Sequence, residues 1–306
     1  MRLIVAVGGN ALLQRGEKPD AAVQLEHVRI AAAALAPLLD QHQVLLVHGN
    51  GPQVGLLARE SEGDVTLSRP YPLDALGAQT QGMVGYWLGQ ALINAGVTKP
   101  VVTIVTQTVV MPHDPAFTSP TKLVGAVYSH EAALERQRTR GWHIARDGTG
   151  WRRVVASPAP VRIIEQPVIA QLLEFGAAVI CAGGGGAPVV ASGGQLRGVE
   201  AVVDKDWTAA ILAIAIDADE LLVLTDVPAV MRDFGTPEAS PIRELDLEQV
   251  GGSIFGAGSM GPKVQACAHF LTVTGRPARI GSLAQAGQVL QGKAGTTILR
   301  KIQTRH

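Results

Sequence analysis

The chain has few cysteines, no excess of either charge and no long uninterrupted apolar run. Cys181 and Cys267 are its only cysteines, too few and too far apart for a disulfide framework or a four-ligand metal site. We therefore expect two buried thiols in a reducing compartment, and we assign no residue as a metal ligand.

The charge balance excludes a broad class of partner. Lys+Arg and Asp+Glu both number 26, so the formal net charge is zero and the basic surface expected of a nucleic-acid binder is missing. The first apolar run, residues 3–7, is shorter than a signal-peptide core, and charges, Gly or Pro interrupt the later ones. We expect small-molecule partners, no nucleic acid, no membrane and a cytoplasmic location.

The chain does contain 47% hydrophobic residues, ample for a core, in alternating strand and helix patterns. Strands are predicted at 2–7, 43–47, 101–110, 161–165, 178–182 and 221–224. Helices are predicted at 20–39, 73–95, 167–175, 207–216 and 264–273. The fold class is α/β. We predict one domain over 1–306, a three-layer sandwich with an open, mainly parallel central sheet.

Residues 111–160 interrupt this rhythm with prolines and clustered charges. We predict that they form an inserted protruding subdomain, or lid, with a small sheet of its own. Lys122 lies in a polar loop near its start. Taken alone, that lysine is typical of a solvated surface charge.

Four glycine-rich loops follow predicted strands or precede helices: residues 8–10, 49–51, 183–186 and 256–261. In open parallel sheets ligands bind outside the carboxyl ends of the strands, so the first two loops suggest one shared site. Consecutive glycines let a backbone approach a phosphate chain closely. Each loop taken alone is also consistent with a plain turn.

Lys205 stands between Asp204 and Asp206 where an apolar helix is predicted to begin. A helix N-terminus disfavours a cation, so a lysine there makes sense if a phosphate shares the site. The alternative is that Asp204 is only an N-cap and Lys205 its solvated neighbour. Glycine loops with Lys122, Lys205 and Lys263 suit phosphoryl transfer, which depends on positioning and charge neutralisation.

Several motifs, in order over nearly the whole chain, strongly resemble the carbamate kinase family of the amino acid kinase superfamily. They are Gly8-Gly9-Asn10-Ala11-Leu12, His48-Gly49-Asn50-Gly51-Pro52-Gln53-Val54-Gly55, Gln81-Gly82-Met83-Val84-Gly85-Tyr86, Ser119-Pro120-Thr121-Lys122, Gly198-Val-Glu-Ala-Val-Val-Asp-Lys-Asp206 and Gly258-Ser-Met-Gly-Pro-Lys263. The resemblance implies reversible phosphoryl transfer between ATP and carbamate, giving ADP and carbamoyl phosphate. It also implies Mg²⁺, a homodimer and a place in arginine metabolism, with the ATP-forming direction favoured.

The resemblance also implies residue roles. Catalytic residues would be Lys122, Lys205, Asp206 and Lys263, with Asp206 holding the ammonium groups of Lys205 and Lys263. The substrate side would comprise Gly8, Gly9, Asn10, Gly49, Asn50 and Gly51. The nucleotide side would comprise Lys205, Thr225, Asp226, Val227, Ser259, Met260, Gly261 and Lys263. Residues 123–128 and 156–160 depart from the family's proline-richer versions, so the lid carries over least directly.

Two rival functions stay open at this stage. One is a kinase for another small acid such as acetylglutamate, although such a substrate needs a cation or amides for its extra carboxylate. The other is a non-catalytic sensor of nucleotide or carbamoyl phosphate. Retention of Asp206 and all three lysines argues against a sensor, which has no transition state to stabilise.

Overall fold

The computed structural model describes residues 1–14, 16–250 and 260–300. Its strands, in chain order, are β1 (Arg2–Val7), β2 (Gln43–His48), β3 (Val101–Thr103), β4 (Gln107–Val110), β5 (Lys122–Tyr128), β6 (His143–Asp147), β7 (Gly150–Val155), β8 (Pro160–Ile163), β9 (Ala178–Cys181), β10 (Ala187–Ser192), β11 (Gln195–Gly198), β12 (Glu220–Thr225), β13 (Val230–Arg232), β14 (Ser240–Ile242), β15 (Glu244–Asp246), β16 (Ala278–Ser282) and β17 (Thr296–Leu299). Its helices are α1 (Ala21–Gln41), α2 (Gly51–Gly63), α3 (Leu73–Asn94), α4 (His130–Arg140), α5 (Gln166–Glu174), α6 (Lys205–Ala215), α7 (Leu247–Val250), α8 (Met260–Thr274) and α9 (Ala286–Leu290).

The central sheet has the strand order β15-β17-β16-β12-β1-β2-β9-β3. From β16 to β3 every neighbouring pair is parallel, and β17 is antiparallel to β16. Alternate residues of β1 face opposite layers because side chains in a strand have a period of two. Leu3 and Val5 belong to the core shared with α1, α3 and α9, whereas Ile4 and Ala6 belong to the core shared with α5, α6 and α8. The predicted three-layer α/β sandwich is confirmed.

The prediction of one long strand over 101–110 is wrong. β3 is the edge of the central sheet, whereas β4 belongs to a second sheet with the order β11-β10-β4-β8. Gln81 of α3 holds the crossing between them: its Oε1 accepts the backbone N–H of Thr106 at 2.9 Å, and its Nε2 donates to the Thr106 carbonyl at 3.1 Å. An apolar run in the sequence indicates extended backbone, but it does not show where the chain passes from one sheet to another.

Residues 122–155 form a separate antiparallel sheet, with the order β5-β7-β6, beside α4. Trp142 is buried within this unit, where the guanidinium groups of Arg140 and Arg153 lie 5.6 and 4.9 Å from its ring centroid. Arg153 also reaches Glu200 at 2.6 Å, outside the unit. The small sheet therefore has its own packing and touches the rest of the molecule partly through ion pairs.

Helix α1 has the length and mean hydropathy of a membrane-spanning helix, contrary to the expectation from run lengths. Its inner face, including Val28, Leu35 and Leu39, is buried in the core that contains Leu3 and Val5 of β1. On its outer face Arg29 pairs with Glu26 at 2.7 Å. A helix with one buried face is also typical of the helical layers of an α/β sandwich.

Glycines within α3 have different surroundings. A Cβ on Gly85 would overlap the Thr103 side chain of β3, whereas Gly77 and Gly82 have open space at that position. Close packing therefore explains Gly85 but not the other two. The Thr103 hydroxyl also donates to the Gly85 carbonyl at 3.0 Å, which ties the helix to the sheet edge.

Candidate active site

Four neighbouring parallel strands, β12, β1, β2 and β9, end at the same edge of the central sheet. The loops that follow them contain residues 226–227, 8–10, 49–51 and 183–186, so segments far apart in sequence meet there. The ladder continues into two of these loops: the Gly8 N–H donates to the Leu224 carbonyl and the Gly49 N–H to the Val7 carbonyl, both at 2.9 Å. This edge is where ligands bind in open α/β sheets.

Gly49 allows the first two loops to touch. A Cβ at this position would lie 2.5 Å from the Gly9 nitrogen and 2.7 Å from the Gly9 Cα. No side chain fits there, because backbone atoms on both sides are fixed by the sheet ladder. Residues 8–10 and 49–51 therefore form one continuous backbone wall.

The loop at residues 183–186 packs against the chain that leads into α6. Gly184, Gly185 and Gly186 have φ values of +63°, +92° and +84°, a region that favours glycine. The Gly185 carbonyl accepts hydrogen bonds from the hydroxyls of Thr108, at 2.6 Å, and Thr208, at 3.1 Å. The four-glycine run is thus anchored to a second-sheet strand and to α6.

Helix α6 begins at Lys205, with Asp204 as its N-cap. Asp204 Oδ1 accepts the backbone N–H groups of Asp206 and Trp207 at 2.9 and 3.4 Å. Lys205 is not a solvated neighbour: its side chain is only 11% exposed, and its Nζ lies 2.5 Å from Asp206 Oδ1. The cap and the buried lysine therefore occur together.

Lys263 completes a three-charge cluster. Its Nζ donates to Asp206 Oδ2 at 2.8 Å, so the two oxygens of one carboxylate hold two ammonium groups. Burial alone would raise the pKa of Asp206, but Lys205 and Lys263 outweigh it and hold that pKa at about 2. Burial and the neighbouring Lys263 lower the pKa of Lys205, whereas Asp206 overcomes burial and raises the pKa of Lys263. The cluster of Lys205, Asp206 and Lys263 therefore has a net positive charge, which favours an anionic ligand.

Lys122 approaches the same place from the small antiparallel sheet. Its Nζ lies 3.2 Å from Asp204 Oδ2, and its side chain is 45% exposed. One cleft of about 680 Å³ is lined by most of the predicted catalytic and substrate residues. The predicted residues that line the cleft are Gly9, Asn10, Gly49, Asn50, Gly51, Lys122, Lys205, Asp206 and Lys263.

Of the predicted nucleotide residues, Lys205 and Lys263 line this cleft, whereas Thr225, Asp226 and Val227 lie beside it. Asn10 Nδ2 donates to Asp226 Oδ2 at 3.0 Å, and the Thr225 hydroxyl donates to Asp226 Oδ1 at 2.9 Å. Thr225 is buried and Val227 is half-buried. These residues are thus coupled to the cleft through Asn10.

The described part of α8 starts at Met260, not at Val264 as predicted. Met260 and Gly261 therefore belong to the helix, and Lys263 projects from its first described turn. Pro262 is compatible with this early position, because proline is tolerated in the first turn of a helix. Ser259 lies outside the described residues.

Sequence reasoning did not place Asp204, Gly184 or Arg152 in the site, although all three line the cleft. Asp204 was recognised only as a possible cap, and Gly184 only as part of a glycine run. Arg152 of β7 pairs with Asp147 at 2.7 Å on the side of the small sheet. The four consecutive glycines were a usable signal for Gly184, whereas nothing local identified Arg152.

Comparison with known proteins decides the family. Residues 1–282 match the model of the amino acid kinase family. The carbamate kinase of Rhizobium meliloti (strain 1021) is 49% identical, with 97% of this chain and 93% of that protein covered. This chain belongs to the carbamate kinases of the amino acid kinase family.

Two further relatives agree with this assignment. The carbamate kinase of Escherichia coli (strain K12) is 46% identical over 97% of this chain and 98% of its own length. The structure of carbamate kinase from Giardia lamblia bound to AMP-PNP superposes with a TM-score of 0.90 at 38% identity, with 98% of each chain covered. The similarity therefore extends over the sheet, the cleft and the small sheet alike.

Proposed function

We propose that this chain catalyses reversible phosphoryl transfer between ATP and carbamate, giving ADP and carbamoyl phosphate. The observation that carries the proposal is the Asp206 carboxylate, which holds the ammonium groups of Lys205 and Lys263 at 2.5 and 2.8 Å in one cleft. Residues 9–10 and 49–51 of the backbone wall line the same cleft. Membership of the carbamate kinases supports the choice of substrate.

Lys205 and Lys263 are proposed to stabilise the phosphoryl group during transfer. Each ammonium has three donors, and one is used by Asp206, so others are available for phosphate oxygens. The transferring group spreads charge over its equatorial oxygens, and fixed cations in a water-poor site stabilise that charge without reorganising. Asp206, which contacts both ammonium groups, keeps the two cations close to each other in the cleft.

The opposite wall is proposed to bind carbamate. Gly8, Gly9, Asn10, Gly49, Asn50 and Gly51 supply backbone and amide groups there. Helix α2 begins at Gly51, so its positive dipole end faces this part of the cleft and favours an anion. Lys122 would add a third cation from the small antiparallel sheet when substrate is present.

The nucleotide is proposed to enter past α8 and β12. Thr225, Asp226 and Val227 would lie near the nucleoside, with Ser259, Met260 and Gly261 beside its phosphates and Lys263. The support is positional: Asp226 is hydrogen-bonded to Asn10 on the cleft wall, and Met260 and Gly261 precede Lys263 in the first described turn of α8.

Mg²⁺ is proposed to arrive with the nucleotide. In the described residues no group of three or more His, Cys, Asp or Glu side chains could hold a metal ion. Both Asp206 oxygens already contact lysines, whereas the carboxylates of Asp204 and Asp226 are near enough to interact with the charge of Lys263 without pairing with it. Such a donor set fits Mg²⁺, which keeps several waters and binds through one or two carboxylates plus substrate phosphates. When bound, the ion would neutralise phosphate charge.

Residues 111–160 are proposed to act as a lid inserted in the single domain 1–306. The support is that Lys122, at the start of β5, reaches Asp204 from this segment at 3.2 Å. Closure of such a lid would exclude water and so favour transfer to carbamate over hydrolysis.

The proposal also includes a homodimer in the cytoplasm that works in arginine metabolism in the ATP-forming direction. An exposed apolar face supports self-association: Tyr86 and Ile93, two turns apart on α3, are 61% and 58% exposed next to the edge strand β3. A second copy would cover both the apolar face and the unpaired strand edge. Light scattering of the purified protein, with Tyr86→Asp for comparison, tests the assembly.

The catalytic proposal is tested by ATP formation from ADP and carbamoyl phosphate. We expect turnover with this pair, and at least about tenfold lower turnover with acetyl phosphate, because its methyl group leaves a buried polar partner unmatched. Faster phosphorylation of acetylglutamate than of carbamate by ATP would contradict the carbamate assignment while leaving the family intact. The absence of any phosphoryl transfer with all of these substrates would contradict the kinase assignment.

A further inference from the structure

Asn50 stands at the N-cap of α2 but does not cap it. Asparagine at this position normally accepts a hydrogen bond from the first turn of its own helix, yet the Asn50 side chain makes no such bond. It lines the cleft and turns toward α3, where its Nδ2 donates to Thr80 Oγ1 at 2.7 Å. The Asn50 side chain therefore bonds to Thr80 instead of capping its own helix.

Thr80 determines which end of the Asn50 amide faces which way. Its Oγ1 lies 2.8 Å from the Gly77 carbonyl oxygen, and two oxygens at that distance need a proton between them. The single hydroxyl proton is thus used on Gly77, and toward Asn50 the hydroxyl can only accept. The group that faces Thr80 must be the Asn50 NH₂, so the carbonyl oxygen Oδ1 points away from Thr80.

Two further observations show that the Asn50 amide is held in this position. Thr80 is fully buried, so water cannot compete for its hydroxyl. The Asn50 amide also packs against Gly184, where any Cβ would overlap it. Within the described part of the chain, no donor is hydrogen-bonded to Asn50 Oδ1.

We infer that Thr80 is a specificity-determining positioning residue, which presents Asn50 Oδ1 as an acceptor for the NH₂ group of the substrate. The inference rests on the proposed function. Carbamate and carbamoyl phosphate have an NH₂ group that can donate to this acceptor, whereas acetate and acetyl phosphate have a methyl group in its place, which cannot donate. A fixed acceptor therefore distinguishes two acids of nearly the same shape.

The experiment compares carbamoyl phosphate with acetyl phosphate in Thr80→Val, which keeps the branched shape and removes the hydroxyl. The kcat/KM for carbamoyl phosphate should fall about tenfold, whereas that for acetyl phosphate should change less than about threefold. Where acetyl phosphate turnover is below detection, its competitive inhibition constant replaces kcat/KM. The ratio is read from one preparation, so a change in the folded fraction does not affect it.

Thr80→Ser, which keeps the hydroxyl, should retain the wild-type ratio, and Thr80→Ala serves if the valine variant does not fold. In an Asn50→Ala background, Thr80→Val should lower the ratio by less than about twofold further, because the residue acts through Asn50. An unchanged ratio in Thr80→Val, or equal losses with both substrates, would overturn the inference. A wild-type protein without carbamoyl phosphate turnover would instead overturn the proposed function.

Discussion

The loop cluster at the sheet edge and the small antiparallel sheet over residues 122–155 form the two sides of one cleft, but they are held in different ways. Residues 8–10 and 49–51 continue the parallel ladder of β12, β1 and β2, and backbone touches backbone at Gly49. The small sheet reaches the body through side-chain pairs, such as Arg153 with Glu200 at 2.6 Å and Arg140 with Glu62 at 3.7 Å.

The difference shows which side of the cleft can move. Close-packed backbone has no alternative arrangement at low cost, because any displacement loses ladder hydrogen bonds and creates voids. Partly exposed ion pairs are typically worth less than about 1 kcal/mol each and exchange readily with water. We therefore expect fixed catalytic geometry at the sheet edge and adjustable geometry on the side of Lys122.

The largest expected effect comes from removing a cation on the fixed side. Lys205→Ala or Lys263→Ala should lower kcat by about 10²-fold or more, since one preorganised electrostatic contact is worth about 3–4 kcal/mol of transition-state stabilisation. Lys205→Arg should not restore full activity, because a planar guanidinium does not replace a compact ammonium. Steady-state kinetics measure this, with the exposed Lys293→Ala as control. Near-normal turnover in a folded Lys205→Ala protein would contradict the role.

Acid sensitivity should also arise on the fixed side. His48 is buried beside the Gly183 backbone, and burial lowers its pKa from 6.5 to about 4. The folded state therefore binds this proton less readily than the unfolded chain. The corresponding stability is complete above about pH 6.5 and is lost as the pH falls toward about 4, with a total of about 3 kcal/mol.

Urea unfolding at pH 7 and pH 5 measures this loss, and His48→Gln should flatten it. The pKa of Asp206, about 2, places its own contribution at lower pH, below the measured range. An equally steep decline in the wild type and in His48→Gln would assign the acid sensitivity to other groups.

A smaller steric change tests the backbone contact itself. Gly49→Ala should lower the free energy of unfolding by about 1–3 kcal/mol and kcat/KM by at least about tenfold, because its Cβ would meet Gly9 backbone 2.5 Å away. Gly63→Ala, at the exposed end of α2 with open space around its Cβ position, is the matched control. Full activity of Gly49→Ala would mean that the two loops can separate without consequence.

The smallest effect is expected on the adjustable side. Glu200→Gln weakens the partly exposed pair with Arg153, worth about 0.2–1 kcal/mol, so protease cleavage within 111–160 should quicken by no more than about fivefold. The midpoint of thermal unfolding should hardly change. Arg29→Ala removes the exposed pair with Glu26 on α1 and serves as control. Nucleotide and substrate together should slow the cleavage, and equal cleavage with and without them would contradict closure of the lid.

Much of the fold was predictable because strands and helices leave local periodic signals. The strand of residues 2–7 and the helix starting near residue 20 needed only their own side chains. The break between β3 and β4 was not predictable, because both halves are apolar and extended, and the crossing is held by residues distant in sequence such as Gln81 and Ala182. The described part of α8 begins earlier than predicted, and the prediction failed because the glycine-rich sequence of residues 256–261 is typical of a loop.

The sequence by itself determined that glycine loops follow buried strands and that Lys205 and Asp206 are adjacent at a helix start, since both features are local in the chain. The tertiary structure decided that Lys263, 57 residues away, shares the Asp206 carboxylate and that Lys122 reaches Asp204 across 82 residues. It also placed Thr225 and Val227 beside the cleft rather than in its lining. Strand order and helix direction set these distances, and neither can be read from spacing along the chain.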